Sequence, residues 1–221
     1  MTLEEAIAKI KPLDHNAMEI AQKRWDSIAK PLHSLGKLET LLIQIAGITG
    51  NAEVDLSRRG LIVMCADNGV VEEGVTQTGQ EVTAIVAENF LKYDTSVGVM
   101  CKQNHAEIFP VDMGMVTDTK VRTDHKIAYG TQNMTKGPAM TREQAVKGLE
   151  AGIDMVRELN DKGYRILATG EMGIGNTTTS SAVASVLLKQ PVEEMTGRGA
   201  GLTSEGFVRK INAIKKGHCI K

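Results

Sequence analysis

The run Thr169-Gly-Glu-Met-Gly-Ile-Gly-Asn-Thr-Thr-Thr179 decides how this chain is read. Before it, the apolar segment Tyr164 to Ala168 predicts a short buried strand. After it, Ser180 to Leu188, rich in Ala, Val, Ser and Leu, predicts a packed helix. Strand, glycine turn and helix start together make an anion site. Glycines let the backbone come close to a phosphate, and the first turn of a helix has N–H groups with no intrahelical partner. Asn176, Thr177 and Thr178 add side-chain donors where those N–H groups emerge, and Glu171 stands at the strand's end, beside the place a ligand would take. No lysine follows the glycines as in a Walker loop, and Gly170-x-x-Gly173-x-Gly175 is not the order of the dinucleotide fingerprint. Two readings remain, a phosphate-binding loop or an ordinary tight βα turn.

One helix further on, Thr196-Gly-Arg-Gly-Ala-Gly-Leu202 forms a second glycine loop. Two such loops could grip the two ends of a nucleotide, with Arg198 or Lys210 set against the phosphate charge. The plain alternative is that Gly197 to Gly201 turns a corner and Arg198 is solvated.

Upstream, Leu61-Ile-Val-Met-Cys-Ala66 is a continuous apolar run of the kind found in buried parallel strands, and it ends in Asp67-Asn68-Gly69. A second strand, Ala106 to Val111, is also followed by an acid and a glycine, Asp112 and Gly114. Helices are expected over Gln80 to Lys92 and Ser96 to Gln103. A longer one follows the capping box Thr141-Arg-Glu-Gln144, with an apolar face of Ala145, Leu149, Ile153, Val156 and Leu159 and a stop at Gly163. Strands that end in acids, with helices between them, describe βα repeats with a site at the strands' carboxyl edge. Residues 3–10, 14–29 and 35–46 read as helices punctuated by Pro12 and Pro31, a lid or dimerisation surface without chemistry. The expected fold is α/β: a mostly parallel sheet with helices on both faces, and a helical N-terminal region.

Composition narrows the function classes. A formal net charge of -1 argues against nucleic acid or an acidic membrane surface as partner. No apolar run reaches membrane-spanning length, and Met1-Thr-Leu-Glu-Glu5 lacks the basic start of a secretory signal, so a cytoplasmic protein is expected. Cys65, Cys101 and Cys219 are far apart and read as reduced buried thiols, and the five histidines have no ligand spacing. No metal is expected.

The motifs, taken together, resemble the family of nicotinate-nucleotide–dimethylbenzimidazole phosphoribosyltransferases. Besides the two glycine loops, the matching segments are Ser34-Leu-Gly-Lys-Leu-Glu39, Ala66-Asp-Asn-Gly-Val-Val-Glu-Glu-Gly-Val75, Gln80-Glu-Val-Thr83 and Gly137-Pro-Ala-Met-Thr-Arg-Glu-Gln-Ala145, in the family's order across nearly the whole chain. The resemblance implies that nicotinate mononucleotide is held by its phosphate beside 5,6-dimethylbenzimidazole or a related base. A carboxylate takes the base's N–H proton as its ring nitrogen attacks C1′ of the ribose. Nicotinate then leaves with inversion, and α-ribazole 5′-phosphate forms. The leaving pyridinium nitrogen departs neutral, so the protein's task is positioning plus one base. With no pyrophosphate to expel, neither magnesium nor a cofactor is implied.

Carried over by position, the resemblance assigns Gly173, Gly175, Asn176, Thr177, Thr178, Gly199, Ala200 and Lys210 to the phosphate and ribose. It assigns Thr78, Val86 and Met172 to the base pocket, with core packing as the alternative for these three, and Glu171 to an auxiliary catalytic role. It also implies a Rossmann-like large domain, here residues 51–221 and incomplete at the C-terminus, with residues 1–50 as part of a smaller helical domain, and a homodimer. Members of the family continue past the point matching Lys221 and carry their main catalytic glutamate there. Thr76-Gln-Thr-Gly79 stands where relatives often have an aromatic residue and a proline, and Asn68 where a histidine is usual, so the preferred base could differ. Two competitors remain: a truncated paralogue that binds nicotinate mononucleotide or a base without turnover, and a Rossmann-type dehydrogenase, which the order of the glycines disfavours.

Overall fold

The architecture follows from the apolar run at 61–66. In a computed structural model that describes residues 1–219, β1 (Arg59–Ala66) lies between β2 (Ala106–Gly114) and β3 (Ile166–Met172) and is parallel to both. Its side chains alternate between two cores. Leu61, Val63 and Cys65 join Ala87, Phe90 and Cys101 of α4 (Glu81–Lys92) and α5 (Ser96–Gln103), whereas Ile62 joins Met155 and Leu159 of α6 (Arg142–Asp161). Burial on both faces is why the run is apolar without alternation. Pro110 is tolerated opposite Val63 because β2 is an edge strand of the sheet, its far side bridged only from Val111 onward, to Arg122. The chain is thus the α/β protein expected, with helices on both faces of a parallel sheet.

Three local expectations are corrected. The strand after Tyr164 is not buried: Tyr164 is, but β3 is an edge strand on which Ile166 and Ala168 are exposed. The run is otherwise as apolar as a central one, and Arg165 is its one local sign of an edge. β3 also runs through Thr169, Gly170, Glu171 and Met172, so the turn proper is Gly173 to Gly175. On α6 the Thr141–Gln144 capping box forms, but the buried stripe is Ala151, Met155 and Leu159, while Leu149 (56 %) and Val156 (47 %) are exposed. The stripe follows a four-residue ridge, the spacing along which one helix surface meets its neighbour.

The carboxylates at the strand ends serve the backbone. Asp67 and Asp112 are fully buried. Asp67 Oδ2 accepts from Val116 N–H at 2.8 Å, and Asp112 Oδ1 accepts from Gly114 and Met115 N–H at 2.9 and 2.7 Å, with Lys126 Nζ 3.1 Å from its other oxygen. They tie down the long connection after β2.

The chain divides into two compact units after Arg58. The first holds α1 (Leu3–Ala8), α2 (His15–Ser27) and α3 (Lys37–Thr49). Asp14 caps α2, accepting from Ala17 N–H at 2.9 Å, and α2 meets α3 closely at Gly47, where a Cβ would lie 2.7 Å from the Met18 sulfur. Glu39 of α3 is buried and held by Lys30 at 2.9 Å and Leu35 N–H at 3.1 Å. The second unit adds α7 (Asn176–Leu188), α8 (Val192–Met195) and α9 (Ser204–His218) to the sheet. Among the described residues no helix is long and apolar enough to cross a membrane.

The observed face of α6 gives a direct test. Leu159→Ala should cost about 2–5 kcal/mol, as for a fully buried leucine, and Leu149→Ala should stay within about 0.5 kcal/mol. Urea unfolding of the two variants measures the difference.

Candidate functional site

Both glycine loops open on one cleft of about 330 Å³ at the carboxyl edge of the sheet. Its walls are Val75 to Thr78, Met172 to Thr177, and Arg198 to Ala200 with Leu202. The first loop lies directly on the end of the central strand, since a Cβ on Gly173 would sit 2.1 Å from the Ala66 carbonyl oxygen. No other residue fits there. Gly175 follows with φ +90° and starts α7, which has no side-chain N-cap. Asn176 N–H donates to Gly173 C=O at 3.0 Å and Thr178 N–H to Gly175 C=O at 2.9 Å, but the N–H groups of Gly175 and Thr177 find no acceptor among the described residues. Free N–H groups at a helix start are what an anion needs.

Below them stands a cation. Lys210 of α9 is fully buried, and its Nζ donates to Thr177 Oγ1 at 2.8 Å and to Gly197 C=O at 2.9 Å. No carboxylate pairs with it among the described residues, and burial pushes its ammonium below the ordinary lysine value. Gly199 (φ +58°) passes over this group, and a Cβ there would lie 2.8 Å from Thr177 Oγ1 and 3.5 Å from Lys210 Nζ. Arg198 lines the cleft too, donating to Leu202 C=O at 2.9 Å with its guanidinium over the Phe207 ring. Glycines, helix start and cation lie together, although Lys210 itself is not among the residues that line the cleft.

Other expected site residues lie elsewhere. Thr178 is fully buried behind the loop, its hydroxyl without a hydrogen-bond partner. Val86 packs on the core that also takes Met172 and does not line the cleft, whereas Thr78 and Met172 do. Glu171, next to Met172 on β3, faces the other side of the strand. Asn176 Nδ2 donates to its carboxylate, which overhangs Gly173. Although part of the side chain meets solvent, burial pushes this carboxyl above its ordinary value, against the lowering effect of the Asn176 bond. No carboxylate lines the cleft itself.

Three residues that hold the cleft together receive no such role from the sequence: Thr83 only ends a matching segment, while Asn68 and Gln77 stand only as departures bearing on the base. Gln77 Nε2 donates to Gly201 C=O, joining the 75–79 strap to the second loop. Thr83 and Asn68 hold Ile174 from both sides. Thr83 carried no separate signal, since it is the third residue of α4 and its β-branched neighbours Val82, Ile85 and Val86 look alike in sequence. A second cavity of about 340 Å³ adjoins the α6 side of β1 between Met64, Met113, Ile127 and Met140, and has no lysine or arginine on its walls.

Fold and cleft define the class, a parallel α/β protein with a glycine-lined cleft at the carboxyl edge of its sheet. Comparison with known proteins supplies the family. A family model described as Phosphoribosyltransferase matches residues 10–221. The proteins named nicotinate-nucleotide–dimethylbenzimidazole phosphoribosyltransferase from Ruminiclostridium cellulolyticum and Clostridium tetani are 51% and 47% identical over 97% of this chain. A crystal structure of CobT from Thermus thermophilus superposes with TM-score 0.83 at 36% identity, covering 91% of this chain and 61% of that one. The chain belongs to the nicotinate-nucleotide–dimethylbenzimidazole phosphoribosyltransferase family. It spans 62% and 60% of the length of the two curated relatives.

The unpaired cation sets a stability test. Lys210 has a folded-state value depressed below the 10.5 of an unfolded lysine. Between the two values the unfolded chain binds a proton that the folded chain releases, so stability should rise with pH across that alkaline window. Denaturant unfolding at stepped pH should show the rise in wild type and lose it in Lys210→Met. Added phosphate should flatten it, because the anion favours the charged form.

Proposed function

We propose that this chain carries the nucleotide-binding part of a phosphoribosyl transfer, in which the ribose 5-phosphate of nicotinate mononucleotide moves to 5,6-dimethylbenzimidazole or a related base. The observation that carries the reading is the buried Lys210 ammonium, unpaired by any carboxylate among the described residues, beneath the free N–H groups of Gly175 and Thr177. The phosphate takes these groups, with Gly173, Asn176, Gly199 and Ala200 as the surrounding wall. Thr178 supports the loop from behind. The base lies against Met172 and Thr78, with the ribose between. Val86 backs this wall through the core.

In the reaction the C1′–N bond to nicotinate breaks, the C1′–N bond to the benzimidazole forms, and the benzimidazole N–H proton passes to a carboxylate. Since no carboxylate lines the cleft, the principal base is supplied from outside these residues or by a second copy of the chain. Glu171 is the auxiliary, acting through the Asn176 amide at the edge of the phosphate site. A homodimer belongs to the same reading, supported by the exposed Leu38, Leu41 and Ile48 of α3. So does a cytoplasmic setting.

The deciding experiment incubates the 221-residue chain with nicotinate mononucleotide and 5,6-dimethylbenzimidazole and follows free nicotinate and α-ribazole phosphate by mass spectrometry. Both should appear where a second copy supplies the base. Binding of the mononucleotide without nicotinate release would place the base outside these residues and leave the chain a binding module, and no binding at all would overturn the reading.

Glu171 has its own signature. An ionised Glu171 is the stronger acceptor for the Asn176 amide it orients, so kcat/KM should rise with pH through a carboxylate value higher than that of a free glutamate. Glu171→Gln should remove that limb and lower turnover roughly tenfold, short of the 10²–10⁴-fold lost with a full general base. Affinity for the mononucleotide should stay within about twofold, because the bond removed is not to the phosphate. A large loss of affinity with turnover intact would end the assignment.

A further inference from the structure

Ile174 is the middle residue of the three-residue turn between β3 and α7, and two side chains from far along the chain hold its peptide groups. Its N–H donates to Thr83 Oγ1 of α4 at 3.0 Å, and its C=O accepts from Asn68 Nδ2, beyond the end of β1, at 3.1 Å. Thr83 is fully buried and Asn68 is 9% exposed. Asn68 is itself fixed: its Oδ1 accepts from Thr179 Oγ1 at 3.3 Å and its backbone C=O from Gln80 Nε2 at 3.1 Å. Neither Asn68 nor Thr83 lines the cleft.

We infer that Asn68 and Thr83 are positioning residues for anion recognition, clamping Ile174 so that the Gly175 N–H is aimed into the cleft. The reason lies in peptide geometry. In a planar trans peptide the C=O of one residue and the N–H of the next point in opposite directions. Drawing the Ile174 C=O towards Asn68 therefore turns the Gly175 N–H away from it, to the cleft side. Drawing the Ile174 N–H towards Thr83 likewise sets the Gly173 C=O, which accepts from Asn176 N–H and starts α7. The loop has little else to hold it. Glycine flanks Ile174 on both sides and leaves the backbone free to rotate, and the Ile174 side chain is itself only half-buried. Bulk is excluded on the same side, since a Cβ on Gly175 would lie 3.3 Å from Asn68 Cβ. The clamp thus does for the loop what its own residues cannot, and a pre-aimed donor binds without the cost of ordering.

This inference rests on the reading of the cleft as a phosphate site, and the test separates the two. Calorimetry on the full 221-residue chain compares nicotinate mononucleotide with nicotinate riboside, which lacks only the phosphate. Wild type should prefer the mononucleotide; equal affinity, or none for either ligand, would overturn the phosphate reading and the clamp with it. Thr83→Val keeps the shape and removes the acceptor. It should weaken mononucleotide binding about tenfold, or about 1.4 kcal/mol, with riboside affinity unchanged, and Thr83→Ser should restore it. Asn68→Ala should repeat the phosphate-selective loss, and it carries the test alone should Thr83→Val not fold. With a phosphate preference established in wild type, equal losses for both ligands, or no loss, would show that Ile174's partners only support the fold.

Discussion

Lys210 is held entirely inside the protein with a hydroxyl and a carbonyl for company, and the cleft is arranged around that fact. A buried ion costs several kcal/mol unless its charge is met. Thr177 and Gly197 meet it with dipoles only, and they come from the two glycine loops. α7 and α9 must therefore lie close, which they do through Ala182, Val192 and Ile214. Gly199 must lack a side chain, because Thr177 and Lys210 occupy the space. Folding removed the water around the cation, so in the proposed reading an arriving phosphate meets a charge already stripped. The folded state carries an electrostatic cost that a bound anion, or loss of the proton, relieves.

Much of this was legible from residue order, and for physical reasons. Continuous apolar runs give β1 because a central parallel strand is buried on both faces. The glycine loops were legible because close approach and positive φ admit few other residues: Gly173 sits on the Ala66 carbonyl, and Gly175 and Gly199 have φ of +90° and +58°. Thr141 and Gln144 form the capping box their spacing predicts. In each case one local rule, without reference to partners, fixes the outcome.

What was not legible depends on partners. Tyr164 to Ala168 reads as buried although it carries Arg165, a charge that the central run at 61–66 lacks; β3 is an edge strand, and Arg165 is the one local sign of it. The apolar residues of α6 support more than one face, and the sheet selected Ala151, Met155 and Leu159. Asp67 and Asp112 have the position of site acids, but one oxygen of each is taken by backbone N–H groups of the β2 connection, and Lys126 stands against the other oxygen of Asp112. The hydrogen bonds of Asn68 and Thr83 to Ile174 span most of the sequence of the second unit. Such pairings exist only in three dimensions.

The cleft also shows how labour is divided in the proposed transfer. Its walls provide a cation, free N–H groups, hydroxyls and an apolar side, and no group that takes up a proton at neutral pH. For a ribose whose leaving group is already a charged ring nitrogen, the demanding part is to hold C1′ in line between two flat rings, and position alone can supply many kcal/mol of a barrier. A phosphate gripped by rigid donors at one end of the nucleotide supplies that alignment at the other. Proton removal asks for a single oxygen in the right place, which another segment or subunit can bring. Anion recognition cannot be divided in the same way, because Lys210, α7 and the two loops act only as one packed unit. In this reading the groups proposed to meet the anion all lie within this one unit.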